Sequence, residues 1–156
     1  MIVISTISAA LVILFTGCRK QLKDFSFSYS IESVGNYKQT VSFNSDKIYK
    51  IETHNYFMDN FAKRKAPVIV EGVMTEEEFK EARKRLQSIN FYKMKDSYGF
   101  EKEVGDLGNI MNQIYFSSKG KEKYISIRDT RFEELPKGYS KLIDFINHFI
   151  STHKAE

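Results

Sequence analysis

The sequence predicts an α+β domain in which about six strands form an antiparallel sheet, or two small sheets, with helices covering one face. Three observations predict this class. Apolar and polar residues alternate strictly from residue 25 onward, which is the pattern of a half-buried strand. Two later segments place apolar residues at helical spacing. Two prolines and eight glycines among 156 residues leave little room for a linker, so we expect one domain.

The first half of the chain predicts four strands. In the first, Phe25, Phe27 and Tyr29 point to one face, while serines alternate with them on the other. Short polar joints separate the next two runs, which is typical of an antiparallel meander. Residues 54–66 break the pattern, and Pro67 then opens the fourth run where a missing amide is tolerated. The predicted strands are residues 25–32, 37–43, 48–53 and 68–73.

The second half predicts a helix, a hairpin and a final helix, which gives the order ββββ-α-ββ-α. Thr75 and Glu78 form a capping box at the start of the first helix. A hairpin with strands at 110–116 and 123–128 follows. We expect Pro136 to open the final helix within its first turn. The apolar stripes are Phe79, Ala82 and Leu86 on the first helix, and Tyr139, Leu142, Ile143, Ile146, Phe149 and Ile150 on the second.

The N-terminal 17 residues predict a secretion signal. The run from Ile2 to Phe15 is almost wholly apolar. As a helix it spans about 21 Å, short of the roughly 30 Å hydrocarbon core of a bilayer. That length suits the hydrophobic region of a signal peptide. The run leads into Leu14-Phe15-Thr16-Gly17-Cys18, which resembles the lipobox of bacterial lipoproteins.

This resemblance implies that the thiol of Cys18 is joined to diacylglycerol and that a dedicated signal peptidase cuts between Gly17 and Cys18. Residues 1–17 are then the signal peptide, residues 18–24 a lipidated tether and residues 25–153 a single domain. Because no Asp follows the cysteine, the resemblance also implies the outer membrane, with the domain facing the periplasm. Basic tether residues would lie at anionic headgroups. With its one cysteine acylated, the chain can form no disulfide.

A second resemblance covers most of residues 25–150. The strings at 75–79 and 91–99, and the Leu135-Pro136 pair before the final helix, are similar to those of uncharacterised secreted and lipoprotein domains of Bacteroidota. Families of this kind have no established activity. The resemblance therefore implies the fold and the envelope location, and it implies no chemistry.

The segment 54–66 is the strongest candidate binding region. It places Tyr56, Phe57 and Phe61 close to the cations Lys63 and Arg64, and aromatic anchors flanked by charge suit a binding surface. Two interpretations remain open, because the aromatic side chains can instead fold back as a lid on the sheet. The serine face of the first strand has the same two interpretations, a solvated surface or a docking face.

Catalytic and metal motifs are weak. No Gly-x-Ser-x-Gly string occurs, and the match of Ser118 and Lys121 to Ser-x-x-Lys falls on a hairpin tip, where we interpret it as coincidence. We expect surface positions, and no shared metal, for the three histidines, His54, His148 and His153. The acids Asp96, Glu101, Glu103 and Asp106 lack the rhythm of a calcium loop, so we interpret them as a polar connection. No cofactor is expected.

These observations favour a membrane-tethered, non-catalytic binding module whose partner is another envelope protein or a glycan. The net charge of +4 is not concentrated in one segment, and export separates the chain from nucleic acid, so we expect no nucleic-acid partner. Two alternatives remain open: an enzyme acting on envelope glycan or peptide, and an inhibitor of an exported hydrolase.

Overall fold

Seven strands, three α-helices and one 3₁₀-helix make up the described part of the chain. The computed structural model describes residues 22–61, 66–100, 110–128 and 135–153. The elements are β1 Phe25–Ser33, β2 Tyr37–Asn44, β3 Ile48–His54, α1 Tyr56–Phe61, β4 Val68–Val73, α2 Glu76–Gln87, the 3₁₀-helix Phe91–Lys93, β5 Ser97–Tyr98, β6 Ile110–Ser118, β7 Lys121–Ile127 and α3 Tyr139–Thr152.

The strands form one open sheet in the order β4-β3-β2-β1-β6-β7-β5. All neighbours are antiparallel except β5, which runs parallel to β7. The predicted α+β class and the antiparallel sheet are confirmed. The predicted count of six strands is wrong, because β5 forms a seventh, and the two later strands join the first four in a single sheet beside β1.

Two short elements escaped the sequence prediction. Strand β5 has only two residues and is held by backbone bonds to β7, in which Ser126 donates to the Asp96 carbonyl at 2.9 Å. Helix α1 lies in the segment that breaks the strand pattern. At its start the Asn55 side chain accepts from the Met58 N–H at 3.1 Å, and the Asp59 carboxylate accepts from the Asn55 N–H at 3.1 Å. This reciprocal cap stabilises a helix too short to show apolar periodicity.

One face of the sheet, which we call the covered face, packs against α2 and α3. Phe25 of β1 stacks on Phe79 of α2 with ring centroids 6.1 Å apart, and Tyr49 of β3 meets Phe149 of α3 edge-on at 5.0 Å. The predicted stripes are confirmed as core, except that Ile143 is half-buried. The opposite side, the open face, is not covered by α2 or α3.

Both long helices begin with specific local contacts. Helix α2 has the predicted capping box, with the Glu78 N–H donating to Thr75 Oγ1 at 3.3 Å and the Thr75 N–H donating to Glu78 Oε2 at 2.8 Å. The predicted start of α3 is wrong, because the helix begins at Tyr139. Pro136 instead lies in the turn before it, where its carbonyl accepts from the Tyr139 N–H at 2.8 Å.

A glycine is required where β4 lies against β3. Gly72 is directly opposite Tyr49 on the covered face. A Cβ at position 72 would lie 2.8 Å from the Tyr49 ring, closer than any real contact allows. The missing side chain therefore lets the Tyr49 ring lie across the edge strand, where it meets the end of α3.

Candidate functional site

The open face is a regular grid of side chains fixed by the strand register. Each position of β1 on this face has a partner on both neighbouring strands, so that Ser28 lies between Ser42 of β2 and Tyr115 of β6. The row through Ser28 ends in Tyr124 of β7. The next row contains Glu52, Thr40, Ser30, Gln113 and Ser126.

Small hydroxyl side chains form the floor of this face over the two central strands. Ser28 and Ser42 are half-buried, and Ser30 is buried, with its hydroxyl donating to Gln113 Oε1 at 3.4 Å. Because serine side chains are short, the floor lies below the longer side chains on either side. The result is a trough that runs along β1 and β2, with one wall on β3 and β4 and the other on β6 and β7.

The wall on β3 and β4 is built from paired charges. Lys50 lies 3.2 Å from the Glu52 carboxylate and 3.9 Å from that of Glu71. His54 Nε2 lies 3.0 Å from Glu52. Hydrogen bonds from His54 and Lys50 hold the pKa of the Glu52 carboxyl below its usual value. The one lysine of this wall therefore lies between two carboxylates, and its charge is offset by them.

The wall on β6 and β7 is aromatic. Tyr115 and Tyr124 are direct cross-strand partners, with ring centroids 4.8 Å apart and planes tilted by 44°. Tyr115 donates its hydroxyl proton to Glu122 Oε1 at 3.1 Å. Tyr124 is 64% exposed, a high value for a tyrosine within a sheet. Beside the pair, a pocket of about 220 Å³ is lined by Ser28, Ser30, Gln113, Tyr115, Tyr124 and Ser126.

Sequence reasoning did not single out these two tyrosines. In a hairpin with strands at 110–116 and 123–128, Ile114 and Phe116 face the same side as Ile125 and Ile127. The alternation of a strand then places Tyr115 on the opposite side together with residues of β7 that carry polar or aromatic groups. The sequence therefore predicts that the two tyrosines share a face. It does not predict the pairing of β6 with β1, which brings the serines of β1 next to them.

The segment predicted to bind, 54–66, becomes helix α1 in its first half. The ring of Tyr56 stacks on His54 at 5.4 Å, at the border of the open face. Phe57 is 59% exposed and Met58 is 56% exposed. More than half of each of these two side chains is therefore open to solvent. Phe61 ends the helix, and its side chain, like the whole of Lys63 and Arg64, lies outside the described residues.

The predicted cleavage and lipidation sites also lie outside the described residues, since Gly17 and Cys18 precede residue 22. The described chain enters β1 beside the β6–β7 hairpin tip, where the Lys119 N–H donates to the Asp24 carbonyl at 3.4 Å. Lys23, Lys119 and Lys121 are all exposed at this end. A groove of about 550 Å³ lies there too, lined by Leu22, Ile89 and Tyr92 among others.

The candidate metal ligands fall partly within the described residues. Among the described residues, no three side chains of His, Cys, Asp or Glu come together as they would around an ion. Asp96 is ion-paired with Lys123, while Glu101, Glu103 and Asp106 lie outside the described ranges. His148 is exposed as predicted. The prediction of a surface position is wrong for His153, whose ring stacks on Phe149 at 4.2 Å and meets Tyr49 at 4.9 Å.

The Ser-x-x-Lys match shows no activated nucleophile. Ser118 is buried, and its hydroxyl donates to the Lys23 carbonyl at 3.4 Å. Lys121 is exposed at the hairpin turn. A serine nucleophile needs a base within hydrogen-bonding reach and an accessible oxygen. The interpretation of this string as coincidence agrees with that geometry.

A buried polar group lies in the core rather than at a surface site. Tyr29 donates its hydroxyl proton to Asn112 Oδ1 at 2.6 Å, and both side chains are buried. Burial raises the pKa of Tyr29 to about 12. Burial also raises the pKa of Tyr139, whose hydroxyl has no hydrogen-bond partner among the described residues. These groups are enclosed by the helices, so they contribute to packing specificity and are not accessible to a ligand.

No known protein-family model matches this chain, and no curated protein matches it. In the described ranges, no helix has both the length and the apolar content needed to cross a bilayer.

Proposed function

We propose that the protein is a lipid-anchored, non-catalytic binding module of the bacterial cell envelope. Cys18 carries the lipid after cleavage behind Gly17, and the domain faces the periplasm from the outer membrane. The single observation that carries the binding role is the asymmetry of the sheet. One face is filled by a core of aromatic and aliphatic side chains, and the other presents a trough with an exposed aromatic wall.

The basic end of the domain supports the membrane part of this proposal. A lipid on Cys18 would bring the start of β1 and the β6–β7 tip close to the bilayer, because only six residues lie between position 18 and Phe25. Lys23, Lys119 and Lys121 are exposed at that end. Each such cation contributes about 1 kcal/mol at an anionic membrane surface, so these lysines would reinforce the lipid anchor.

The binding part is supported at the border of the open face. Tyr56 lies beside His54 on this side of the sheet, and the neighbouring Phe57 adds an exposed ring. Large exposed apolar side chains next to a polar surface are characteristic of interaction sites. We include Phe61, Lys63 and Arg64 in the proposed binding segment on their proximity in sequence. The partner is an envelope protein or a glycan.

Metabolic labelling with a clickable fatty acid tests the anchor. The wild-type protein should be labelled and should fractionate with membranes, and a Cys18→Ser form should show neither property. An unlabelled wild-type protein, or equal fractionation of the two forms, would overturn the lipid-anchored assignment.

Partner capture tests the binding role. Crosslinking in native envelopes should yield a reproducible adduct with the wild-type protein. The Tyr56→Ala and Phe57→Ala double variant should lose most of it without a change in melting temperature. Tyr92→Ala is the matched control, since this exposed tyrosine contacts Phe116 on the covered side. Unchanged capture by the double variant would contradict the proposed binding segment.

A further inference from the structure

The chemistry of the trough selects among possible ligands. The pocket beside the aromatic pair bears hydroxyl groups and one amide, from Ser28, Ser30, Ser126 and Gln113, and none of the residues that line it is charged. Hydroxyl and amide groups both donate and accept hydrogen bonds, so they match a ligand that is itself rich in hydroxyl groups. The aromatic wall of Tyr115 and Tyr124 adds an apolar surface beside this pocket, while the aliphatic side chains of Ile48, Ile69 and Val73 are exposed at the far edge of the open face.

We propose that the open face binds a neutral oligosaccharide, with one sugar ring packed against Tyr124 beside Tyr115. This inference rests on the proposed binding function and names the ligand class. A sugar ring has one face of C–H groups and a rim of hydroxyl groups. The C–H face packs on an exposed aromatic ring, whose negative face attracts the polarised C–H bonds. The rim hydroxyls are then directed toward Ser28, Ser126 and Gln113.

The size and position of the pocket agree with this assignment. The concavity of about 220 Å³ lies directly between the aromatic pair and the hydroxyl-bearing side chains. It suits a single ring, and its lining comes from β1, β6 and β7. Gln113 Oε1 already accepts from Ser30, so the amide NH₂ of Gln113 is the part of that side chain available to donate to a ligand.

The aromatic wall is organised before the ligand arrives. The hydrogen bond from Tyr115 to Glu122 fixes the inner ring, and the packing of Tyr124 against that ring limits the outer one. A rigid aromatic surface loses little conformational entropy on binding, and this lowers the cost of association. A surface that only contacts solvent would gain nothing from aromatic rings held in this way.

The electrostatics favour a neutral glycan over an anionic one. Lys50 and the His54 ring of the opposite wall are both engaged by Glu52, and Glu122 lies at the end of the aromatic wall. An anionic sugar would meet these carboxylates without finding an unpaired cation on the floor. A docked protein helix would instead need apolar residues along the floor, where the sheet presents serines.

Saturation-transfer difference NMR and calorimetry test the assignment on the full chain. The protein is held in a detergent without a sugar headgroup, and the probes are cellohexaose, chitohexaose, maltohexaose and laminarihexaose. At least one probe should receive saturation at its ring C–H protons. Tyr124→Ala should raise its Kd at least about tenfold, as expected for removing a central aromatic anchor. Gln113→Ala should raise it less, and Tyr92→Ala should leave it within about twofold.

Two results would overturn the glycan assignment. One is that none of the four probes gives saturation transfer, and the other is that Tyr124→Ala leaves the Kd unchanged. If the probes fail while envelope crosslinking still captures a protein, the binding module stands and its ligand is a protein. If neither a probe nor an envelope component is captured, the binding function proposed above fails as well.

Discussion

The nine residues of strand β1 alternate between two faces, and different constraints act on the two faces. Phe25, Phe27 and Tyr29 lie in the core, each 3% exposed or less. Ser26, Ser28 and Ser30 alternate with them on the open face. The covered face must fill space at close-packed density, which restricts its residues to apolar side chains of suitable shape. The open face has no such requirement, so its exposed tyrosines and its serine floor carry more information about binding than the core does.

The largest test of this contrast compares adjacent residues of β1. Phe27→Ala should lower the free energy of unfolding by about 3–5 kcal/mol, because it leaves a cavity between the sheet and the helices. Ser28→Ala should change it by no more than about 0.5 kcal/mol. Urea unfolding followed by circular dichroism measures both. Similar losses for the two variants would contradict the division of the strand into a core face and a binding face.

The second test concerns the polar atoms inside the core. Tyr29→Phe leaves the Asn112 side chain without its buried donor and should cost about 1–3 kcal/mol. Tyr139→Phe removes a buried hydroxyl that has no partner among the described residues, so stability should be unchanged or slightly higher. Urea midpoints of the two variants give the comparison directly. An equal loss from both would show that the Tyr139 hydroxyl makes a stabilising contact.

The third test uses the alkaline stability of the covered face. Burial raises the pKa of Tyr29 from 10.0 to about 12, so the folded state favours the neutral phenol. The stability that the raised pKa of Tyr29 contributes is complete below pH 10 and is lost as the pH rises toward about 12. Tyr29→Phe, compared with wild type, should therefore lose less stability across this interval. Parallel stability curves for the two proteins would contradict the burial of an ionisable phenol.

The smallest effect should come from the charged wall of the open face. The pKa of Glu52 is lowered by hydrogen bonds from His54 and Lys50. The stability that these bonds contribute is present above the usual pKa of a Glu side chain, and it is lost as the pH falls through the lowered pKa of Glu52. Wild type should therefore lose slightly more stability than Glu52→Gln between neutral pH and acid. Melting temperatures over that pH series provide the measurement, and indistinguishable slopes would contradict the inferred ion pair.

Local features of the fold could be predicted from sequence because they depend on neighbouring residues. Alternation placed β1, and the Thr75 and Glu78 pair placed the start of α2. Helix α1 was missed because six residues are too few to show periodicity, although the Asn55 and Asp59 cap was visible. Pro136 was assigned to the helix although it occupies the preceding turn, since proline suits either position.

The candidate site depends on long-range pairing, and that limited its prediction. Ser28 and Tyr115 lie on one row only because β6 pairs with β1, although four strands and two α-helices separate the two strands along the chain. Nothing local in either strand encodes that choice of neighbour, since the same alternating pattern would pair equally well elsewhere in a sheet. The exposed residues of α1 were predicted as a candidate binding segment because their composition alone is unusual, and that role stays a prediction.

Site-specific photo-crosslinking in native envelopes tests the central claim most directly. A benzophenone amino acid replaces Tyr124 on the open face in one form of the protein and Lys80 on the outer surface of α2 in another. Benzophenone inserts into C–H bonds, so it can capture a glycan or a protein. The account predicts adducts from position 124 and none above background from position 80. Adducts from position 80 alone, or equal adducts from both positions, would contradict the assignment of the open face as the binding surface.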